Sequence, residues 1–215
     1  VAVSAVALLN HRPDLVLPWV RWALTPRGGS ASLTDLRISL NPPSLAISGL
    51  SIAWPPPEGD LLHLDHLQVE LIPGRFFHGG SWLRNVEARG LVFERLHPRD
   101  TKGPPDLTPL NRLFDIEELS LTDSRLRIAF PQGDLSADRL RMRLAPGEGG
   151  IRRFNGSAEL AFRRNGATIA DGTLSAHGLM TPGSLIDAHL ELANARLNLP
   201  WLAGDVSGQT ALKMT

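Results

Sequence analysis

The sequence predicts an all-β chain: a long, strongly twisted antiparallel meander preceded by one short helix. Three observations carry this. Residues 45–142 repeat one pattern five times: apolar residues alternate, two positions are skipped, and alternation resumes in the opposite phase. Turn chemistry rich in Pro and Gly separates the apolar runs. No helical periodicity follows residue 25.

The five instances are Leu45-x-Ile47-x-x-Leu50-x-Ile52, Leu62-x-Leu64-x-x-Leu67-x-Val69, Val86-x-Ala88-x-x-Leu91-x-Phe93, Phe114-x-Ile116-x-x-Leu119-x-Leu121 and Leu135-x-Ala137-x-x-Leu140-x-Met142. Alternation with period two gives a strand one apolar and one wet face. The skip would turn the apolar residues to the wrong side. One extra residue, a β-bulge, restores the facing and adds bend and twist. Strand after strand built this way makes a curved sheet with one continuous apolar surface. Patterning alone leaves open whether that surface closes into a barrel or sandwich core or lines an open groove.

In chain order, Pro13–Leu24 reads as a short helix. Leu15, Val16, Trp19, Val20 and Leu24 share a face, Pro18 predicts a kink or a broken helix, and Gly28-Gly29 ends it. Strands are expected over 31–40, 44–54, 61–72, 82–95, 114–130 (as one strand or two), 134–145, 151–164, 167–179, 184–199 and 205–214. Asn165-Gly166 is the strongest two-residue hairpin signal. Only Arg99–Arg112, with Gly103-Pro104-Pro105, breaks the rhythm, and it is expected to divide the sheet into two parts. The resulting organisation is 1–28 as the end of a membrane anchor plus the helix, 29–98 as a first β-segment, 99–113 as a loop and 114–215 as a second β-segment.

The first nine residues, Val1 to Leu9, are apolar or small but too few to cross a bilayer, which needs about 20. They read either as the tail of a transmembrane or signal segment whose start is missing or as an ordinary first strand or helix. Trp19 and Trp22, at the depth of an interfacial aromatic belt, favour the anchor tail. The run from Gln209 to Thr215 is cut within an alternating pattern, so the chain reads as part of a longer protein.

Composition narrows the function classes. Formal net charge is zero, which argues against nucleic acid as a partner. Of the 22 basic residues only Lys102 and Lys213 are lysines. There is no Cys, so disulfides, thiolate metal sites and cysteine nucleophiles are excluded. His63-Leu64-Asp65-His66 is the first place to seek a metal or an acid–base pair, but no second ligand cluster stands at obvious spacing. Asp115, Glu117, Glu118 and Asp123 offer carboxylates without a cleft signal. No nucleophile elbow, phosphate loop or Ser/His/Asp spacing is present. Arg125, Arg127, Arg139, Arg141, Arg143, Arg152, Arg153, Arg163 and Arg164 form a ladder whose charges fall opposite the apolar residues, without interleaved aromatics. A wet outer face is expected there, with neither a metal nor a cofactor.

Further stretches carry a resemblance. They are Leu33-Thr-Asp-Leu-Arg-Ile38, Pro43-Ser-Leu-Ala-Ile-Ser-Gly-Leu-Ser-Ile52, Leu62-His-Leu-Asp-His-Leu-Gln-Val-Glu-Leu71, Phe76-Phe77-His-Gly-Gly80, Leu83-Arg-Asn-Val-Glu-Ala-Arg-Gly-Leu-Val-Phe-Glu-Arg95 and Ile116-Glu-Glu-Leu-Ser-Leu-Thr-Asp-Ser-Arg-Leu-Arg-Ile128. In this order they resemble the N-terminal region of AsmA-like proteins, the group that includes AsmA, TamB and YhdP of Gram-negative envelopes. The resemblance spans roughly residues 13–145, through degenerate β patterns. It implies a protein anchored in the inner membrane and projecting into the periplasm as a taco-shaped β-groove. It also implies phospholipid transport towards the outer membrane and supplies no catalytic residue.

The expectation is therefore an open groove whose lining contacts phospholipid acyl chains. The candidate lining is Leu45, Ile47, Leu50, Ile52, Leu62, Leu64, Leu67, Val69, Val86, Ala88, Leu91, Phe93, Ile116, Leu119, Leu121, Leu140 and Met142. Leu15, Trp19 and Trp22 would seat the base at the inner membrane. The competing expectation is a scaffolding β-module that binds envelope proteins through a sheet edge.

Overall fold

The computed structural model describes residues 17–57, 59–72, 83–97, 116–181, 184–199 and 202–212. They form helix α1 (Leu17–Leu24) and strands β1 (Ser30–Ser32), β2 (Asp35–Leu40), β3 (Pro43–Ala53), β4 (Leu61–Leu71), β5 (Leu83–Arg95) and β6 (Ile116–Phe130). The chain continues as β7 (Gly133–Pro146), β8 (Arg152–Arg164), β9 (Ala167–Thr181), β10 (Ser184–Leu199) and β11 (Leu202–Leu212). All the strands belong to one sheet, which does not close into a barrel. The order across it is β1-β3-β4-β5-β6-β7-β8-β9-β10-β11, with β2 beside β1 on the same edge of β3. The expected strand 31–40 is thus divided at Leu33-Thr34, where Leu33 turns inward and is 2% exposed.

Every ladder is antiparallel except one: β5 and β6 pair in parallel. The uniform meander expected from the sequence is corrected there. Alternation fixes which face a residue takes and says nothing of strand direction, and a parallel pair needs a crossover of a dozen or more residues. Residues 96–115 supply that length. Because β5 and β6 are direct neighbours, one sheet runs through the interruption at 99–112.

The two-residue skips become an aligned feature. Gly49 in β3 has φ +61° and Gly90 in β5 has φ +66°; in β6 and β7 the left-handed residues are Asp123 (φ 49°) and Arg139 (φ 51°). Gly49 stands opposite Asp65, since Ser48 pairs with His66 and Leu50 with Leu64. Asp65 in turn stands opposite Gly90. Neighbouring strands take their extra residue at the same level, so the β3–β4–β5 register has no slip there. A two-against-one bulge of the expected kind occurs between β7 and β8, at Asp138/Arg141. In β6 the step lies at Thr122-Asp123 and not at Glu117-Glu118 as the pattern suggested. The ladder to β5 dictates this by aligning Arg89 with Thr122.

The described part of α1 spans Leu17–Leu24, with Pro18 in its first turn, where its missing N–H has no partner to lose; the kink or break expected at Pro18 involves residues outside the described set. Residues 13–16 lie outside the described set. Leu17, Val20 and Leu24 pack on the apolar face over Leu33, Leu36, Ile47, Leu50 and Leu64. Arg21 ties the helix down by donating from Nη2 to the Leu33 carbonyl at 2.7 Å.

Candidate functional site

Register converts the sequence pattern into rows that cross the sheet. One row runs Ile47–Leu67–Ala88–Leu121–Met142–Gly156–Ala176–Leu190, each residue directly opposite the next. A second runs Leu45–Val69–Val86–Leu119–Leu144–Phe154–Gly178–Ala188. A third, on the other side of the left-handed line, runs Ile52–Leu62–Phe93–Leu126–Ala137–Leu160–Gly172. Directly paired residues share a face, so these rows form one apolar wall. Leu50, Leu64 and Leu91 lie between them, with Leu140 opposite Ser124 further on. Ile116 pairs with Leu83 at the strand ends, beyond the aligned rows.

The wall is not uniformly covered. Ile47, Leu50 and Leu64 are buried within the α1 core, so at that end the predicted lining faces protein. Leu45, Ile52, Leu62, Leu67, Ala88 and Leu91 pack around this cluster and remain half-buried. Leu119 is also buried, while Val69, Val86, Phe93, Leu121, Leu140 and Met142 are half-buried. Towards β8–β10 the rows mix small residues, Gly156, Gly172, Ala176 and Gly178, with Phe154, Leu160 and Leu190. An apolar recess of about 300 Å³ opens there, lined by Leu135, Leu160, Phe162, Ala170, Leu192 and Ala195. The sequence pattern did not point to it, because all of its apolar lining except Leu135 comes from strands outside the five repeats.

The opposite face is wet and its charges pair across strands. Arg125 bonds Asp138, Arg127 bonds Asp134, Arg139 bonds Glu159 and Arg143 bonds Glu118. Arg89 stands 3.4 Å from Asp123. Hydrogen bonding to Asp134, with its negative charge, raises the pKa of Arg127 above the ordinary value. Four of the nine ladder arginines are thus paired with carboxylates in place, as suits a solvated outer face.

One arrangement was not legible in the sequence. Ser51 Oγ lies 2.7 Å from His63 Nδ1, and His63 Nε2 lies 3.1 Å from Asp65 Oδ1. Serine, imidazole and carboxylate meet because Ser51 and His63 are cross-strand partners. Acyl transfer also needs preorganised oxyanion donors in a water-excluded site. The side chains of His63 and Asp65 are 48% and 66% exposed, on the open outer face. Such a setting makes this a surface hydrogen-bond chain on the solvent side of the sheet.

Among the described residues no group of three or more His, Cys, Asp or Glu could hold a metal ion, and no helix is long and apolar enough to cross a membrane. Trp22 on α1 is 77% exposed. Leu15 lies outside the described residues, as does the Trp19 side chain. No protein-family model matches the chain, and no curated protein matches it.

Proposed function

We propose that the chain is a β-groove segment of an AsmA-like envelope protein, anchored in the inner membrane, that carries phospholipid through the periplasm. It would support outer-membrane biogenesis without catalysing a reaction. One observation supports this above the others: apolar rows aligned across eight neighbouring strands, β3 to β10, keep Leu121, Met142, Phe154, Leu160 and Leu190 half-buried beyond the reach of α1, although Leu119, Ala137, Leu144 and Ala188 in the same rows are buried. Burying a methylene contributes about 0.8 kcal/mol, so one long acyl chain gains on the order of 10 kcal/mol on such a wall. The attraction is non-directional. A tail can therefore be held and still move from row to row. Trp22, exposed on the helix at one end of the sheet, suits contact with a membrane interface.

A photo-crosslinking residue at Leu121 or Met142, both on the half-buried part of the wall, tests the reading in cells. Phospholipid adducts are expected at both positions, and their absence at both would count against it. A second reading follows from the unclosed sheet, which leaves edges at β1/β2 and β11. Strand addition by an envelope protein at an edge would give protein adducts at edge positions and none with lipid.

A further inference from the structure

The left-handed residues are not scattered. Gly49, Gly90, Asp123 and Arg139 follow one another across β3, β5, β6 and β7, with Asp65 of β4 completing the line between the two glycines. The line sits near mid-strand in each case, for instance at Gly90 within Leu83–Arg95. Side chains close over it. A Cβ on Gly49 would meet Thr34 Oγ1 and lie 2.9 Å from the Thr34 Cβ. A Cβ on Gly90 would meet the Asp65 carboxylate and lie 2.9 Å from the Asp65 Cβ. Where the line crosses from β5 to β6, the hydroxyl of Ser124, 1% exposed, accepts from the Leu91 N–H at 3.2 Å and donates to the Thr122 carbonyl at 2.9 Å. A side chain thus bridges two strands at the break in their ladder.

We propose that this line is a crease along which the sheet folds towards its apolar face, and that Gly90 and Ser124 set how tightly it folds. Each extra residue bends and twists its own strand. Aligned at one level across neighbours, the bends add instead of cancelling, and a flat sheet becomes a trough. The crease also restores facing, because Leu50 and Ile52 would otherwise turn to the wet side. Its consequence for lipid rests on the conduit reading above: the crease fixes the width available to an acyl chain. Gly suits the conformation because other L-residues are disfavoured there, and Asn and Asp are the ones that tolerate it best.

The test uses the full chain in three versions. Asp65→Gly removes the atoms nearest a new Cβ and serves as the control. Asp65→Gly with Gly90→Asn keeps a residue that accepts the left-handed conformation. Asp65→Gly with Gly90→Val has space but disfavours that conformation by about tenfold. Small-angle scattering reads the cross-section, and native mass spectrometry reads phospholipid per chain. The crease predicts an unchanged cross-section for the Asn version and a wider one for the Val version, with lipid falling in the Val version alone. An unchanged cross-section in the Val version overturns the crease whatever the lipid load. If no version, wild type included, carries lipid, the conduit reading fails while scattering still decides the crease. Should the Val version not fold, Ser124→Ala replaces it: a wider cross-section supports the crease, and an unchanged one overturns it.

Discussion

The two ends of the sheet differ in what meets the apolar wall. Over β2–β4, α1 supplies Leu17, Val20 and Leu24, and the wall becomes a core in which Leu36, Leu50 and Leu64 are 5%, 7% and 6% exposed. Over β7–β10 the same face is mixed: Ala137, Leu144, Ala158 and Ala188 are buried, while Leu140, Leu160 and Phe162 are half-buried, with Leu192 at 36% and a recess of about 300 Å³. The strands at both ends follow the same alternation. At the first end the cover is one eight-residue helix. An apolar face therefore does not reveal whether it is core or binding surface until its covering element is known.

The contrast can be broken by truncation. Leu50→Ala should cost about 2–4 kcal/mol, because it opens a cavity under a fixed helix. Denaturant unfolding measures it, and a loss below about 1 kcal/mol would mean the helix does not seal that end. Gly49→Ala should cost about 1–2 kcal/mol for the left-handed conformation alone, with the Thr34 contact added. Asn at the same position should recover part of that loss. Met142→Ala, on the open part of the wall, should cost about 1 kcal/mol or less, since its side chain is already half-solvated. It should reduce bound lipid more than it reduces stability, the reverse of Leu50→Ala. The smallest effect belongs to the outer face. Arg143→Ala should shift stability by no more than about 0.5 kcal/mol at low salt, and by nothing measurable in high salt.

The expected strands coincide with the observed ones to within a few residues, because long alternating runs bounded by Pro and Gly leave little freedom. β10 matches 184–199 as expected. Where sequence fell short, the missing information was relational. The parallel β5–β6 pair, the meeting of Ser51 with His63, and the step at Asp123 all depend on which strand lies beside which. Likewise Ile47, Leu50 and Leu64 carry the same pattern as Leu121 and Met142, and only the position of α1 separates them. The wall was legible over β3–β5 and parts of β6 and β7, and not over β8–β10. Its cover was not legible.

Native mass spectrometry of the full chain, purified without detergent, tests the central claim most directly. A wall left uncovered by protein predicts adducts of phospholipid mass that are lost when Leu121 and Met142 are replaced by Asp. A bare chain mass, or a mass of two copies with no lipid, would contradict it by showing that the face is empty or sealed by protein.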